Sequence, residues 1–145
     1  MKNRNINAGD NWKTPEKLYK ELDSEFHFDF DPCPYSEDLY IPPERDGTII
    51  EWGNCNFVNP PYSRALKEKF VKRAVEMQKK GKTSVCLLPV STSTALFHDF
   101  ISPNATEIRF LRGRVKFEGY NTKGKWVKNK CGMFDSMVVV FWRYS

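Results

Sequence analysis

Histidine is scarce in this chain and cysteine is scattered. Only His27 and His98 occur in 145 residues, and Cys33, Cys55, Cys86 and Cys131 stand far apart with no CxxC pair. A zinc site needs clustered thiolates and imidazoles, so no metal is expected. Cys86 lies inside an apolar run and Cys55 just before one, which reads as reduced thiols packed as small hydrophobes. Long apolar runs are missing as well. No window approaches the roughly 18 uninterrupted apolar residues that a membrane span needs, and residues 1–10 carry no hydrophobic stretch of a secretory signal. A soluble, intracellular protein is expected. There is no internal repeat or low-complexity segment. The length suits one core and leaves no room for separate catalytic and recognition domains, so a single domain over 1–145 is expected, with residues 1–9 flexible.

What is present is unevenly charged. Residues 1–50 hold 6 Lys/Arg against 11 Asp/Glu, whereas residues 51–145 hold 17 against 7. The basic part suits a polyanion such as nucleic acid.

Thr14 and Pro15 form a helix start, with a hydroxyl to cap backbone amides and proline at the first helical position; Leu18, Leu22 and Phe26 follow at helical spacing. Residues 26–31 (FHFDFD) alternate and read as a strand ending in an acid. Pro32, Pro34, Pro42 and Pro43 then impose a long loop, whose Tyr35, Leu39, Tyr40 and Ile41 argue against disorder. A strand at 56–58 runs into Asn59-Pro60-Pro61-Tyr62. Ser63 then caps a helix with the face Leu66, Phe70, Ala74 and Met77, stopped by Gly81. An apolar run at 83–90 reads as a central strand, followed by a short helix at 94–100 and strands at 107–111 and 137–142. The alternation indicates an α/β sheet with binding loops beyond the carboxyl ends of its strands. Residues 112–130, with seven Lys/Arg against Glu118, read as a mobile basic loop.

The tetrapeptide at 59–62 carries the chemistry. The exocyclic amine of a base such as adenine is a poor nucleophile because its lone pair is delocalised into the ring. The side-chain oxygen of Asn59 and the carbonyl of Pro60 can each accept one amine hydrogen, localising that pair and relieving positive charge as nitrogen attacks a methyl sulfonium. Pro60 and Pro61 offer no backbone donors and fix φ, which stiffens the loop. Tyr62 offers a flat face for an extruded base, worth about 1–3 kcal/mol. Neither metal nor covalent intermediate is needed. Asn and Pro also make ordinary turns; the position between a strand and a helix favours catalysis.

Several motifs recur in order: residues 10–15 (DNWKTP), residues 30–33 (FDPC), Asp46-Gly47 with Trp52, the tetrapeptide, Leu87-Leu88-Pro89, Phe97-His98, residues 113–117 (GRVKF) and the closing strand at 138–141. Together they resemble the phage-type DNA N-6-adenine methyltransferase family, often described as Dam-like, over roughly residues 10–142. The resemblance implies a minimal Rossmann-like methyltransferase fold with a central mixed sheet flanked by helices. It implies methyl transfer from S-adenosylmethionine to the N6 amine of adenine in double-stranded DNA, by a phage-encoded enzyme in the cytoplasm of a bacterial host. Asn59, Pro60, Pro61 and Tyr62 would be catalytic. Trp12, Thr14, Asp31, Pro32, Asp46 and Asn59 would line the cofactor pocket, with Asp31 on the ammonium or ribose and Asp46 on the cofactor adenine. Trp12 as a core anchor, Thr14 as a helix cap, and Asp31 or Asp46 as turn formers are the competing roles.

On the same reading Lys116, Lys123, Lys125, Lys128 and Lys130 touch phosphates, Trp126 stacks on a base or fills the gap left by one, and Arg112 and Arg114 read a base edge or hold the backbone. His98 reads as a packed or surface residue. The sequence departs from the usual methyltransferase pattern after the first strand, where Pro32-Cys33-Pro34 replaces a glycine-rich loop. The tetrapeptide is also similar to that of families modifying release-factor glutamine or ribosomal RNA guanine. Those substrates, and a catalytically inactive DNA-binding relative, stay open as alternatives.

Overall fold

A computed structural model describes residues 12–38, 40–120, 123–127 and 135–144 in full, and residues 4–5 and 128–131 by their backbone. In chain order the elements are β1 (Arg4–Asn5), α1 (Glu16–Phe26), β2 (Tyr40–Ile41), a 3-10 turn (Pro43–Arg45), β3 (Cys55–Val58), α2 (Arg64–Lys79) and β4 (Thr83–Pro89). A π-helical turn (Phe97–Ile101) then runs into α3 (Ser102–Asn104), followed by β5 (Glu107–Phe110), β6 (Lys116–Tyr120), β7 (Trp126–Cys131) and β8 (Ser136–Phe141).

The central sheet has the order β3-β4-β8-β5. β3 and β4 are parallel, with α2 crossing between them, and β8 runs antiparallel to both β4 and β5. The sheet is therefore mixed. β4 is buried along nearly its whole length, as its apolar run requires of a strand covered on both faces. Alternation divides the core in two. Val58, Cys86, Leu88, Met137, Val139 and Phe141 point to one face, where Phe70, Val71, Ala74 and Met77 of α2 and Ile101 cover them. Phe57, Val85, Leu87, Val138 and Val140 point to the other, under Leu18, Tyr19 and Leu22 of α1 and Phe117 of β6. Each fully buried Val or Phe contributes about 1.5–3 kcal/mol. Gln78 ties the end of α2 to two other segments, its Nε2 donating to the carbonyls of Asn104 and Trp142, both at 2.9 Å.

Four local expectations need correction. Thr14 does not cap α1: Pro15 occupies the N-cap position and no side chain caps the helix. Ser63 stands at the N-cap of α2, again without a side-chain cap bond. The strand expected at 26–31 is reduced to one parallel bridge, Phe30 to Asn56, because α1 extends to Phe26 and turns at His27, which has φ 57°. Only a short extended piece is left before Pro32. Lastly, residues 112–130 are not a loop throughout. β6 and β7 form an antiparallel hairpin, with Phe117 and Gly119 inward and Lys116 and Tyr120 outward. That period-two burial is what the density of lysines conceals.

Arg4–Asn5, within the segment expected to be flexible, pair with Tyr40–Ile41; the rest of residues 1–9 lies outside the described residues. Among the described residues, no helix is long and apolar enough to cross a membrane.

Candidate active site

Asn59 leaves the carboxyl end of β3 with its side-chain amide fixed by a distant part of the chain. Nδ2 donates to the Trp12 carbonyl oxygen at 2.9 Å and to Thr14 Oγ1 at 3.0 Å. Both amide hydrogens are thus engaged, and Oδ1 is the end presented to an incoming donor. The acceptors are themselves held. Lys13 and Glu118 pair backbone to backbone, Lys13 N to Glu118 O at 2.6 Å and Glu118 N to Lys13 O at 3.1 Å, which locks residues 12–14 against β6.

Trp12, Thr14, Tyr19, Asp31, Phe57 and Asn59 line a cleft of about 240 Å³ on the α1 side of the sheet. It lies at the carboxyl end of β3, where ligands of α/β sheets gather. Asp31 lies in it because the Phe30 bridge carries the chain alongside β3. Its Oδ1 accepts one hydrogen bond, from Cys33 N at 2.8 Å, and burial pushes its carboxyl up to about 7. One backbone donor does not offset the desolvation. Burial also raises the Tyr19 phenol, reinforced by the charges of Asp23 and Asp31. The cleft can therefore offer a neutral acceptor at Asn59, a titratable carboxyl at Asp31 and aromatic walls. Among the described residues no group of three or more His, Cys, Asp or Glu is placed to hold a metal ion.

The other expected residues divide. Pro60 and Pro61 are both buried, and of the two Pro61 lines the cleft. Tyr62 does not line it: the ring meets Phe117 edge to face at 5.8 Å and 87°, and its phenol is raised by burial. Pro32 is a fully buried side chain outside the cleft lining, between two residues that do line it. Asp46 is buried away from the cleft. Its Oδ1 accepts from Thr48 N at 3.0 Å and Thr48 Oγ1 at 2.7 Å, so it forms the turn that competed with its pocket role.

Arg112, Arg114, Lys116, Lys123 and Lys125 are exposed, with Arg114 Nε 3.6 Å from Asp135 Oδ1. Trp126 stands between Tyr120, at 5.1 Å, and Tyr35, at 5.8 Å, each in an edge contact. Since Tyr35 lines the cleft, the hairpin borders its mouth. The side chains of Lys128 and Lys130 lie outside the described residues. His98 is exposed and touches Phe97 at 5.5 Å, a surface position.

Lys13, Glu16, Tyr19, Cys33, Pro34, Tyr35 and Phe57 line the cleft and were not singled out as site residues. Glu16 and Tyr19, one helical turn apart, were the available signal, because i and i+3 share a helix face.

Fold and site define an α/β protein with a polar and aromatic cleft at the carboxyl end of β3, where a side-chain amide stands fixed. The chain belongs to the DNA N-6-adenine-methyltransferase (Dam) family, whose sequence profile matches residues 2–145. It is similar to a protein of Escherichia phage T1 named "DNA N-6-adenine-methyltransferase", with 32% identity over 109 residues. That match takes in 70% of this chain and 44% of the phage protein, so the chain spans less than half the length of that relative.

Proposed function

We propose that this chain, as a single-domain minimal Rossmann-like methyltransferase, transfers a methyl group from S-adenosylmethionine to the N6 amine of adenine in double-stranded DNA. Family membership supports methyl transfer, and the β3-α2-β4 crossover supports the finer fold. The observation that carries the reading is the orientation of Asn59. With both amide hydrogens given to Trp12 and Thr14, its oxygen is the atom available to accept from a planar amine. Reversed, the same side chain would present hydrogens to hydrogens.

The cleft residues fit the donor. Asp31 would hold its ammonium or a ribose hydroxyl, and Trp12, Tyr19 and Phe57 provide apolar walls and π faces for its adenine and sulfonium. When bound, S-adenosylmethionine supplies an electrophilic methyl carbon with a neutral thioether as leaving group. Asn59 Oδ1 and the Pro60 carbonyl accept the two N6 hydrogens, turn the nitrogen lone pair out of the ring and stabilise the charge that develops on nitrogen as it displaces the thioether. One of those hydrogens then leaves to solvent as a proton. The basic hairpin borders the cleft and would hold the DNA backbone through Lys116, Lys123, Lys125, Lys128 and Lys130, with Arg112 and Arg114 near the base edges. By the origin of its relative, the enzyme is phage-derived and works in the cytoplasm of a bacterial host.

Incubation with labelled donor and duplex DNA, followed by digestion to nucleosides, tests this directly. Label is expected in N6-methyladenine, and Asn59→Ala is expected to abolish it. Label found only in RNA or in protein glutamine would transfer the same loop chemistry to another planar substrate and overturn the DNA reading.

A further inference from the structure

A second cleft, of about 420 Å³, lies on the opposite face of the sheet. Its floor is made of Leu88, Leu96, Ile101 and Met137, all buried side chains of the α2-side core. Its rim comes from the first turns of α2, at Lys67, and from the loop after β4, at Ser91 and Ser93. The two clefts flank one loop: Asn59 and Pro61 line the first, and residues from Arg64 onward line the second.

Lys67 is out of place above such a floor. Its side chain is half-buried, and among the described residues no carboxylate or carbonyl takes a hydrogen bond from its ammonium. The adjacent Glu68 is engaged instead by Arg64, Nε to Oε1 at 3.1 Å. Burial consequently pulls the Lys67 pKa down, only partly offset by the charge of Glu68. Withdrawing an ammonium from water without a close counter-charge is unfavourable, and an anion arriving there would remove that cost. α2 as a whole favours anions, with six Lys/Arg against two Glu. The hydroxyls of Ser91 and Ser93 can donate to the same anion, while the apolar floor offers nothing to one and suits a flat ring. Charge at the rim over an apolar floor is the chemistry of a nucleotide.

Building on the proposed function, we propose that the second cleft holds one nucleotide of the substrate DNA strand, its phosphate against Lys67 and its base over Leu88 and Met137. The strand then crosses the carboxyl edge of the sheet, and the nucleotide presented to Asn59 is positioned by a neighbour held on the far side of the loop.

The test is fluorescence anisotropy of a labelled duplex across a salt series, with wild type and with Lys67→Met, which keeps the stem and removes the charge. Donor binding by calorimetry is measured on the same samples. The variant is expected to bind DNA about tenfold more weakly, with a log–log salt slope smaller by about 0.9, and to bind donor as wild type does. Lys67→Arg should restore both affinity and slope. Unchanged DNA affinity and slope in Lys67→Met would overturn this inference and leave the proposed function standing, whereas a wild type that binds no DNA would overturn both. Should Lys67→Met lose affinity for free deoxyadenosine monophosphate and not for the duplex, the cleft serves free nucleotides and strand holding is refuted. If Lys67→Met does not fold, Ser93→Phe, which fills the cleft from its rim, is expected to weaken duplex binding, and full affinity in that variant would overturn the inference.

Discussion

The amide nitrogen of Asn59 lies 3.0 Å from the hydroxyl oxygen of Thr14, a contact that holds the amide against residues 12–14. Its second acceptor, the Trp12 carbonyl at 2.9 Å, has no hydrogen to give. A flipped amide would place oxygen against oxygen at residue 12, at a cost of about 1–3 kcal/mol, whereas the Thr14 hydroxyl could turn and donate. The Trp12 carbonyl therefore sets the orientation and Thr14 holds it in place. Thr14, which the sequence offered as a pocket residue or a helix cap, thus helps restrain the candidate catalytic group.

Thr14→Val should therefore lower kcat about fivefold, since it removes one of two restraints worth about 1 kcal/mol each while the backbone acceptor at Trp12 survives. Thr14→Ser keeps the hydroxyl and should retain most of the activity. Steady-state kinetics with DNA and donor varied separately distinguish the roles. A rise in donor KM with kcat intact would make Thr14 a pocket residue that does not restrain the amide.

Asp31 links the cleft to pH. Its carboxyl titrates at about 7 in the fold, against about 3.9 in an unfolded chain. The folded state holds that proton more tightly, so the stability it contributes is complete below about pH 4, declines as pH rises and is lost above about 7. Asp31→Asn should remove this slope and leave the protein more stable than wild type at pH 8 by a few kcal/mol, read from urea unfolding at pH 5 and pH 8. Binding should move the other way. A donor ammonium requires the ionised carboxylate, so wild-type donor affinity should rise between about pH 6 and pH 8 while Asp31→Asn stays weak and flat. Donor affinity that ignores pH would separate Asp31 from the ammonium.

Much of this arrangement was legible in the sequence, and the misses share a cause. Long apolar runs announce themselves, so β4, β8 and the apolar face of α2 were readable from period and burial demand. Asn59 was readable because few positions place an amide and two prolines between a strand and a helix. Roles set by partners far along the chain were not readable. Thr14 looks like a cap until Asn59, 45 residues later, takes its hydroxyl. Pro32 and Asp46 follow the same logic in reverse: Pro32, between two cleft-lining residues, is buried, and Asp46 turns inward to accept from Thr48. The hairpin was hidden because its lysines dominate the composition while Phe117, the inward residue, is one letter among them.

Gly47 shows how tightly that support is built. A Cβ there would overlap the Pro32 carbonyl oxygen and lie 2.8 Å from Phe70 Cε1, and the Gly47 carbonyl already accepts the Trp52 indole at 2.7 Å. Backbone cannot yield as a flexible side chain would. Gly47→Ala is expected to cost about 3 kcal/mol and lower the melting midpoint by roughly 10 °C, with donor affinity falling as the 31–34 segment shifts. Gly81→Ala is the control. It has φ +86° but open space around it, so only the left-handed backbone cost of about 1 kcal/mol applies. Equal melting points for the two variants would mean that the 46–47 turn is not braced against Pro32.

The hairpin allows charge and framework to be separated. Lys116, Lys123 and Lys125 are exposed, so replacing all three with Ser should leave stability within about 1 kcal/mol of wild type. DNA affinity should nevertheless fall, and the log–log salt slope should shrink by up to about 2.7 if each lysine meets one phosphate. Phe117→Ala is the converse. Its ring is buried on the sheet and meets Tyr62 at 5.8 Å, beside the Glu118 backbone that locks residues 12–14. Truncation should cost about 3–5 kcal/mol, loosen the acceptors that hold Asn59 and lower kcat while the salt slope keeps its wild-type value. The two variants should therefore fail in opposite assays. Were the lysine variant to keep its full slope, the phosphates would be gripped elsewhere, and the α2 side with Lys67 would be the surface to examine next.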